Sequence, residues 1–455
     1  TIEQQPVNNP LAALQGRVPG LQITQESGLP GSGFSVLIRG RNSIENGTTP
    51  LVIVDGVPFF DPSEQLMQRG SFSANSPFAT INPKDIASIE ILKDADATSI
   101  YGSRGANGVI LITTKQASKK GSRVSLRLYN SFGREARVMN FMNVHEYLQM
   151  RREAFANDSL QMTNQNAPDV LLWDSNATVN WQKKLMGETA RQFNASLSYE
   201  TGNEQVQFAM RSNYNQQTSL FPGEFGSKGG NVNLSGSYRA RNGKLFVEFG
   251  TGYAYQKSLL PLKNMGVWIN LPPHAMALYD SSGGYNWTGS GVDIYGNPLA
   301  LLEQTHTGIT QRVSLTHRLE YRLIKGFHIG YTAGLNSMWF DETTKIPILS
   351  QKPDLNTTGD ASFGNNATQN WSIEPQAGFD LQNGRKGKLS VLTGLSLQAS
   401  NTKSSTISGS GYSNDLLLES ISGAAIRNAE NDKSQYRYKG VFMRINYQYD
   451  ERYLI

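Results

Sequence analysis

The 455 residues contain no cysteine. That removes disulfides, thiolate nucleophiles and cysteine-based metal sites, and it suits an oxidising compartment where a stray thiol interferes with folding. Histidine is also scarce: His145, His274, His306, His317 and His328 are scattered and form no local catalytic signature. Charged residues make up 17% of the chain and the net charge is +5. There is no dense basic run, so the composition argues against nucleic-acid binding. No stretch reaches the ~18 consecutive apolar residues of a membrane-spanning helix. The mean hydropathy of −0.42 still leaves room for a membrane β-barrel, whose strands alternate lipid-facing apolar with lumen-facing polar residues.

What the chain does have is glycine, aromatics and period-two alternation. There are 44 Gly, 19 Tyr, 19 Phe and 6 Trp, and the length favours two or more structural units. From Gly121 onward, ten segments read as strands, near 122–133, 191–201, 204–216, 230–241, 244–257, 310–324, 327–341, 367–382, 388–400 and 435–449. The clearest places Val313, Leu315, Leu319, Tyr321 and Leu323 on one face and Arg312, Ser314, Thr316, Arg318, Glu320 and Arg322 on the other. An arginine facing lipid at mid-bilayer would cost about 2–4 kcal/mol, so the arginines are expected to face the lumen. Short turns at Gly202–Glu204, Arg241–Lys244, Lys325–Phe327, Asn383–Lys388 and Asp450–Arg452 alternate with long connections at about 134–190, 217–229, 258–309, 342–366 and 401–434. Outer-membrane barrels have this alternation, with short periplasmic turns and long extracellular loops. Tyr129, Tyr253, Tyr255, Trp339, Phe340, Tyr447 and Tyr449 are placed as interfacial aromatics.

Residues before about 118 have a different texture. A short helix is expected at Leu11–Leu14, and strands at Leu21–Thr24, Val36–Arg39, Leu51–Asp55, Ser88–Lys93 and Val109–Thr114. A second helix at Ala95–Tyr101 would be opened by Asp94 or Asp96 and stopped at Gly102. The runs LVIVDGVPFF from Leu51 and INPKDIASIEILKDADATSIYGSRGANGVILITTK up to Lys115, with PLAALQGRVPGLQI (Pro10–Ile23) and VLIRGRNSI (Val36–Ile44), closely resemble the plug of a TonB-dependent outer-membrane transporter. Within that class the wording resembles the SusC/RagA family of Bacteroidota nutrient importers.

The expected fold class is therefore a mainly β membrane protein: a small α+β plug (1–118, first strand missing) inside a large antiparallel transmembrane barrel (119–455). Ten strands could close only a barrel filled by its own side chains, whereas plugged lumens belong to barrels of about 22 strands. The chain is thus expected to hold about half of a barrel. The polar start Thr1–Asn9 likewise reads as a beginning in mid-architecture, with no signal peptide. The resemblance implies active import of oligosaccharides or oligopeptides through the outer membrane of a Gram-negative bacterium, energised by TonB and gated by plug remodelling. It implies a SusD-like surface lipoprotein as lid and a TonB-contacting segment outside this chain, and it leaves open whether transporter–lipoprotein pairs form a dimer. A siderophore or cobalamin receptor is the alternative within transport. A structural or adhesive envelope component is the alternative outside it.

Site-like motifs mostly yield to plainer readings. His145-Glu146 lacks a second histidine at position 149, which is Gln149, so no zincin pair exists. GSRGANG (Gly102–Gly108) precedes a strand rather than a helix and reads as tight turning, not a phosphate cradle. Asp94 and Asp96 read as helix caps. No catalytic set, cofactor or metal site is expected, although Asp293 and nearby oxygens offer a weak calcium option without EF-hand spacing. Arg39, Arg41, Asn42 and Arg104 could meet substrate, or could seat the plug by pairing with lumen carboxylates such as Glu320 or Glu374. Trp268, Tyr279, Tyr285, Trp287 and Tyr295, with His274, occupy one long connection. Rings flanked by amides and hydroxyls suit sugar or peptide faces, but loop self-packing or docking against a partner protein is the plainer reading.

Overall fold

The computed structural model describes residues 7–25, 27–40, 48–59, 76–94, 101, 105–117, 121–275, 277–289, 292–293, 297–353, 357–383, 387–449 and 453–454. Near the N-terminus, helix α1 (Pro10–Leu14) begins with proline in its first turn and is capped by Asn9, whose side chain accepts from Leu11 N at 2.9 Å. Strands β1 (Leu21–Gln25) and β2 (Phe34–Ile38) form an antiparallel pair. A four-stranded sheet follows in the order β4-β3-β6-β5, from β3 (Leu51–Val54), β4 (Val57–Pro58), β5 (Ile86–Leu92) and β6 (Val109–Thr114). Asp55 and Gly56 both have positive φ (50° and 83°) and join β3 to β4, the Asp-Gly signature of a tight hairpin. Gly108, at φ 89°, turns the chain into β6, and Ile38 lies where its Cβ would be. This supports the turning role of that glycine, while 102–104 and the expected helix at 95–100 lie outside the described residues.

The second unit is a single antiparallel sheet ordered β19-β18-β17-β16-β15-β14-β11-β10-β9-β8-β7. Its strands are β7 (Gly121–Gly133), β8 (Ala190–Gly202), β9 (Val206–Thr218), β10 (Gly226–Arg239), β11 (Leu245–Pro261), β14 (Thr305–Ile324), β15 (Phe327–Ile346), β16 (Gly359–Asn383), β17 (Gly387–Tyr412), β18 (Ile426–Tyr449) and the two-residue β19 (Tyr453–Leu454). The small pair β12 (Thr288–Gly289) and β13 (Val292–Asp293) lies in the connection between β11 and β14. The ten expected segments are the ten long strands. No described helix is long and apolar enough to cross a membrane. The sheet is open at β7 and β19, and an open edge is not viable in hydrocarbon, so a membrane form requires further strands to close it.

Three expectations need correction. The connections at 342–366 and 401–434 are mostly ladder: β15 runs to Ile346, β16 starts at Gly359, β17 runs to Tyr412 and β18 starts at Ile426. Above the hydrocarbon both faces are polar, so the alternation fades while backbone pairing continues. Phe340 is not an interfacial ring. It follows Trp339 directly, so the two side chains point to opposite faces; Trp339 is exposed, whereas Phe340 is buried with the plug core. The third concerns Arg39. It pairs with Asp94 inside the plug, while Glu320 is met by Arg318 and Arg322 and Glu374 accepts from Ser396 Oγ at 2.9 Å.

The two units share one core. Val36, Ile38, Val52, Val54, Phe59, Ile110 and Ile112 of the first unit are buried in one cluster with Met338 and Phe340 of the wall. On β14, Leu315 is 44% exposed and Arg312 only 9%, so the arginine faces the plug and the leucine faces outward. Leu315→Arg should therefore cost about 2–4 kcal/mol of barrel stability and abolish the heat-modifiable band of the folded full-length barrel on gels, while Ser314→Ala leaves it. Equal tolerance of both changes would overturn this register.

Candidate functional site

The inner face of the wall is a lattice of amides and hydroxyls set by strand register. At one level it presents Asn194, Asn215, Gln256, Thr310 and Asn366. Two residues along each strand come Ser196, Asn213, Asn231, Arg312 and Thr368. A plug fits such a wall only if its own polar edges are hydrogen-bonded there, because a buried unpaired polar group costs about 1–3 kcal/mol.

Two seams meet that demand. In the first, Asn82 caps a short 3₁₀ turn (Pro83–Asp85) that projects side chains at β8–β10. The Asp85 carboxylate accepts from Asn231 Nδ2 at 3.2 Å and Asn233 Nδ2 at 2.8 Å. Lys84 Nζ donates to Asn194 Oδ1 at 2.7 Å and Ser196 Oγ at 3.2 Å. Arg211 donates to the carbonyls of Lys115 (2.8 Å) and Gln116 (3.1 Å) and pairs with Glu200 at 2.5 Å. Burial pushes the Asp85 carboxyl above its ordinary range, against the pull of Asn233, Arg211, Asn231 and Lys84. Burial likewise lowers the Lys84 and Lys115 ammonium groups.

The second seam is the Asp55-Gly56 hairpin against β14–β16. Asp55 accepts from Thr114 N and Thr114 Oγ1, each at 2.8 Å, which locks the hairpin to β6. Burial raises its carboxyl, opposed by those bonds and by Arg312. The Phe59 carbonyl accepts from Asn336 Nδ2 at 3.3 Å and also from Asn370 Nδ2, and the Gly56 carbonyl accepts from Ser372 Oγ at 3.4 Å. The Arg312 guanidinium lies 4.9 Å over the Phe59 ring while Nε donates to Asn336 Oδ1 at 2.8 Å. Val57 enters a notch at Gly334, where an added Cβ would sit 1.9 Å from Val57 Cγ2. A cavity of about 310 Å³ remains between the seams, bordered by Asp55, Asp85, Arg211, Asn233, Glu248 and Arg312.

On the side of the long connections, the loops pack into a second core: Leu29 from the plug with Trp181, Leu185, Phe221, Phe225, Leu260, Met265 and Leu278. The first connection carries α2 (Val144–Asn157), α3 (Pro168–Leu171) and α4 (Trp181–Met186), and α2 begins with a capping box between Asn143 and Glu146. Arg151 grips Asp169 with Nε (2.7 Å) and a terminal nitrogen (3.1 Å), Tyr147 donates to the same carboxylate at 3.0 Å, and His274 Nε2 lies 2.7 Å from the Asp169 carbonyl. Burial opposes ionisation of Asp169, but the bonds from Arg151 and Tyr147 outweigh it and hold the carboxyl below its usual range. Burial and the same carboxylate push the Tyr147 hydroxyl up to about 12.

The candidate residues fall into separate places. Arg39 has φ 59°, is exposed and pairs with Asp94. Arg41, Asn42, Arg104 and Tyr295 lie outside the described residues, as does the Asp293 side chain. Trp268 and Tyr285 pack against the loop core, and the Tyr285 ring stacks on Tyr279 with centroids 5.7 Å apart. Tyr285 donates to Glu303 at 2.6 Å, and burial followed by that carboxylate raises its hydroxyl far above the ordinary range. Trp287 is half-buried, and His274 is buried between loops rather than open to a ligand. Among the described residues no three His, Asp or Glu side chains gather as a metal site. The seam residues Lys84, Asp85, Lys115, Arg211, Asn336 and Asn370 were not singled out from sequence. The available signal was charge and amide at lumen-facing strand positions.

Comparison with known proteins places this geometry. Residues 1–109 match the TonB-dependent receptor plug domain. The whole chain is 28% identical to TonB-dependent receptor P26 of Formosa agariphila, covering 44% of that protein. It is 30% identical over 210 residues to SusC of Bacteroides thetaiotaomicron, covering 46% of this chain and 19% of that one. In fold it matches the RagAB peptide importer in its open-open state with a TM-score of 0.80 at 22% identity, over 99% of this chain and 52% of that one. The chain thus spans about half the length, or less, of these relatives. The architecture is that of a plugged outer-membrane β-barrel. Residues 1–109 are thus a TonB-dependent receptor plug domain, and the chain as a whole is similar to TonB-dependent receptors, SusC among them, and to RagAB in fold.

Two predictions follow from the seams. Gly334→Ala should lose about 1–3 kcal/mol of plug packing, read as faster protease cleavage of the plug in the full-length barrel, and adding Val57→Ala should restore protection. Asp85→Asn retains an acceptor for Asn231 and Asn233 and should leave the plug as protected or more so, whereas Asp85→Ala should cost about 1–3 kcal/mol. The charge penalty at Asp85 applies above its raised pKa and fades as pH falls through it. The benefit of Asp85→Asn should therefore shrink on acidification, which protection measured across pH would reveal.

Proposed function

We propose that this chain is part of an active importer of oligosaccharides or oligopeptides, energised by TonB and gated by displacement of the plug. The observation that carries the reading is the plug seated against an amide- and hydroxyl-rich lumen wall through side-chain bonds to its backbone carbonyls. Such bonds can be exchanged one by one for bonds to a neutral polar cargo, which a hydrophobic seam would not allow. RagAB is named a peptide importer, which supports the oligopeptide part of this range. A SusD-like surface lipoprotein covering the loops completes the proposal, with two transporter–lipoprotein pairs forming a dimer. Of the loop aromatics, Tyr279 is exposed and stacked on Tyr285, a surface that suits first contact with ligand or lid.

The test is uptake in the native host together with mass spectrometry of the complex extracted in mild detergent. Import should fall to background without TonB, and the complex should carry a stoichiometric lipoprotein with glycan or peptide bound. Deleting Ser281–Gly296 should weaken ligand capture or lipoprotein docking while the barrel stays folded. A barrel held in a large envelope assembly, with neither lipoprotein nor ligand and with uptake independent of TonB, would defeat the reading in favour of a structural role.

A further inference from the structure

The outer face of the wall carries a feature that import does not use. Lys228 on β10 and Lys257 on β11 are register partners, so their side chains stand side by side on one face. That face is outward: their lumen-side neighbours Ser227, Gln256 and Ser258 are buried, whereas Tyr253, of the same parity as Lys257, is exposed. β9 and β10 are joined by a longer connection and β10 and β11 by a short turn, so the pair lies at the extracellular end of both strands.

The surroundings offer no counter-charge. The same rung continues as Gln216 on β9 and Ile309 on β14. The rung toward the bilayer reads Tyr214, Gly230, Tyr255 and Gln311, and the rung away from it Thr218, Gly226, Leu259 and Thr307. The side-chain Oε1 of Gln216 already accepts from the Tyr214 hydroxyl at 3.3 Å. Asp341 is register partner of Ile309, two strands from Lys257 and so about 10 Å away. Among the described residues no carboxylate is within ion-pair reach of either ammonium.

Like charges placed directly opposite on adjacent strands destabilise a sheet. A single snorkelling lysine would serve the membrane interface without that repulsion. Gly226 and Gly230 are the same-face neighbours of Lys228 on its own strand and place no side chain beside it. The outline is two cations above tyrosines at the lipid boundary. We propose that Lys228 and Lys257 clamp a phosphate of a phosphorylated lipid in the outer leaflet, with the tyrosines below them against its apolar part. An anion between the two ammonium groups turns the repulsion into two charge-assisted hydrogen bonds. The membrane surface supplies such anions at high local concentration.

The test uses the full-length protein in mild detergent with diphosphoryl lipid A as probe and native mass spectrometry as readout. Wild type should keep lipid A through detergent exchange. Lys228→Gln/Lys257→Gln should retain roughly tenfold less, about 1.4 kcal/mol, and Lys228→Arg/Lys257→Arg should retain it. Lys403→Gln, on β17 away from this pair, should behave as wild type. Equal retention by the double glutamine variant would overturn the proposal, as would equal loss in Lys403→Gln. Displacement by millimolar inorganic phosphate would reassign the pair to a free-anion site. Should the double glutamine variant not fold, loss of lipid by the arginine variant would equally refute the clamp.

Discussion

Everything in this structure depends on hydrogen bonding between a polar plug edge and a polar wall. A barrel lumen wide enough for a second unit cannot stay empty of partners, and a plug cannot present bare carbonyls to it. The chain answers with side chains on the wall and main chain on the plug: Arg211 on the carbonyls of Lys115 and Gln116, and Asn336 and Asn370 on that of Phe59. This division matters for mechanism. Bonds to backbone carbonyls fix the position of the plug without requiring particular plug side chains, and each contributes only about 1 kcal/mol net. Many weak bonds that can be broken in sequence suit the plug displacement proposed above, in which the plug is held firmly and still yields to a directed pull.

The shared hydrophobic cluster works in the opposite direction. Met338 and Phe340 belong to the wall, yet they are buried with Phe59 and Ile110 of the plug. Val57 fills the notch at Gly334, and Arg312 covers the Phe59 ring. The hairpin side of the plug is thus fixed by shape and apolar contact, and the side around Asp85 by polar bonds. The cavity of about 310 Å³ lies between these two regimes, where the plug meets the wall least completely.

Much of this was legible beforehand, for definable reasons. The alternation on β14 set its register because a misplaced arginine in lipid is costly, and Arg312 indeed faces inward. The strand expected at Leu51–Asp55 ends one residue earlier, because Asp55 with Gly56 forms the tight turn into β4. Other features were hidden for equally physical reasons. β17 has 26 residues, yet only its membrane portion alternates, so its upper half read as loop. Phe340 and Trp339 looked alike as aromatic girdle residues, and only pleat parity separates them. The partner of Arg39 was misjudged because Asp94 is distant in sequence and close only through folding. The seam itself left no motif, since a lumen-facing Asn gives the same local signal whether it meets plug, water or cargo.

The long strands have one more consequence. A transmembrane strand needs about 9–11 residues, whereas β16 and β17 have 25 and 26. More than half of each stands clear of the hydrocarbon as a stiff, fully paired sheet, roughly 40 Å or more along the strand at ~3.3 Å per residue. The entrance is therefore a rigid funnel wall and not a fringe of loose loops. Its tips, pinned where Asp415 accepts from the amides of Ile348 and Leu349, stand far from the membrane on a fixed frame. In the proposed importer, changes at the tips can retune what is admitted without disturbing the register that keeps the barrel in lipid.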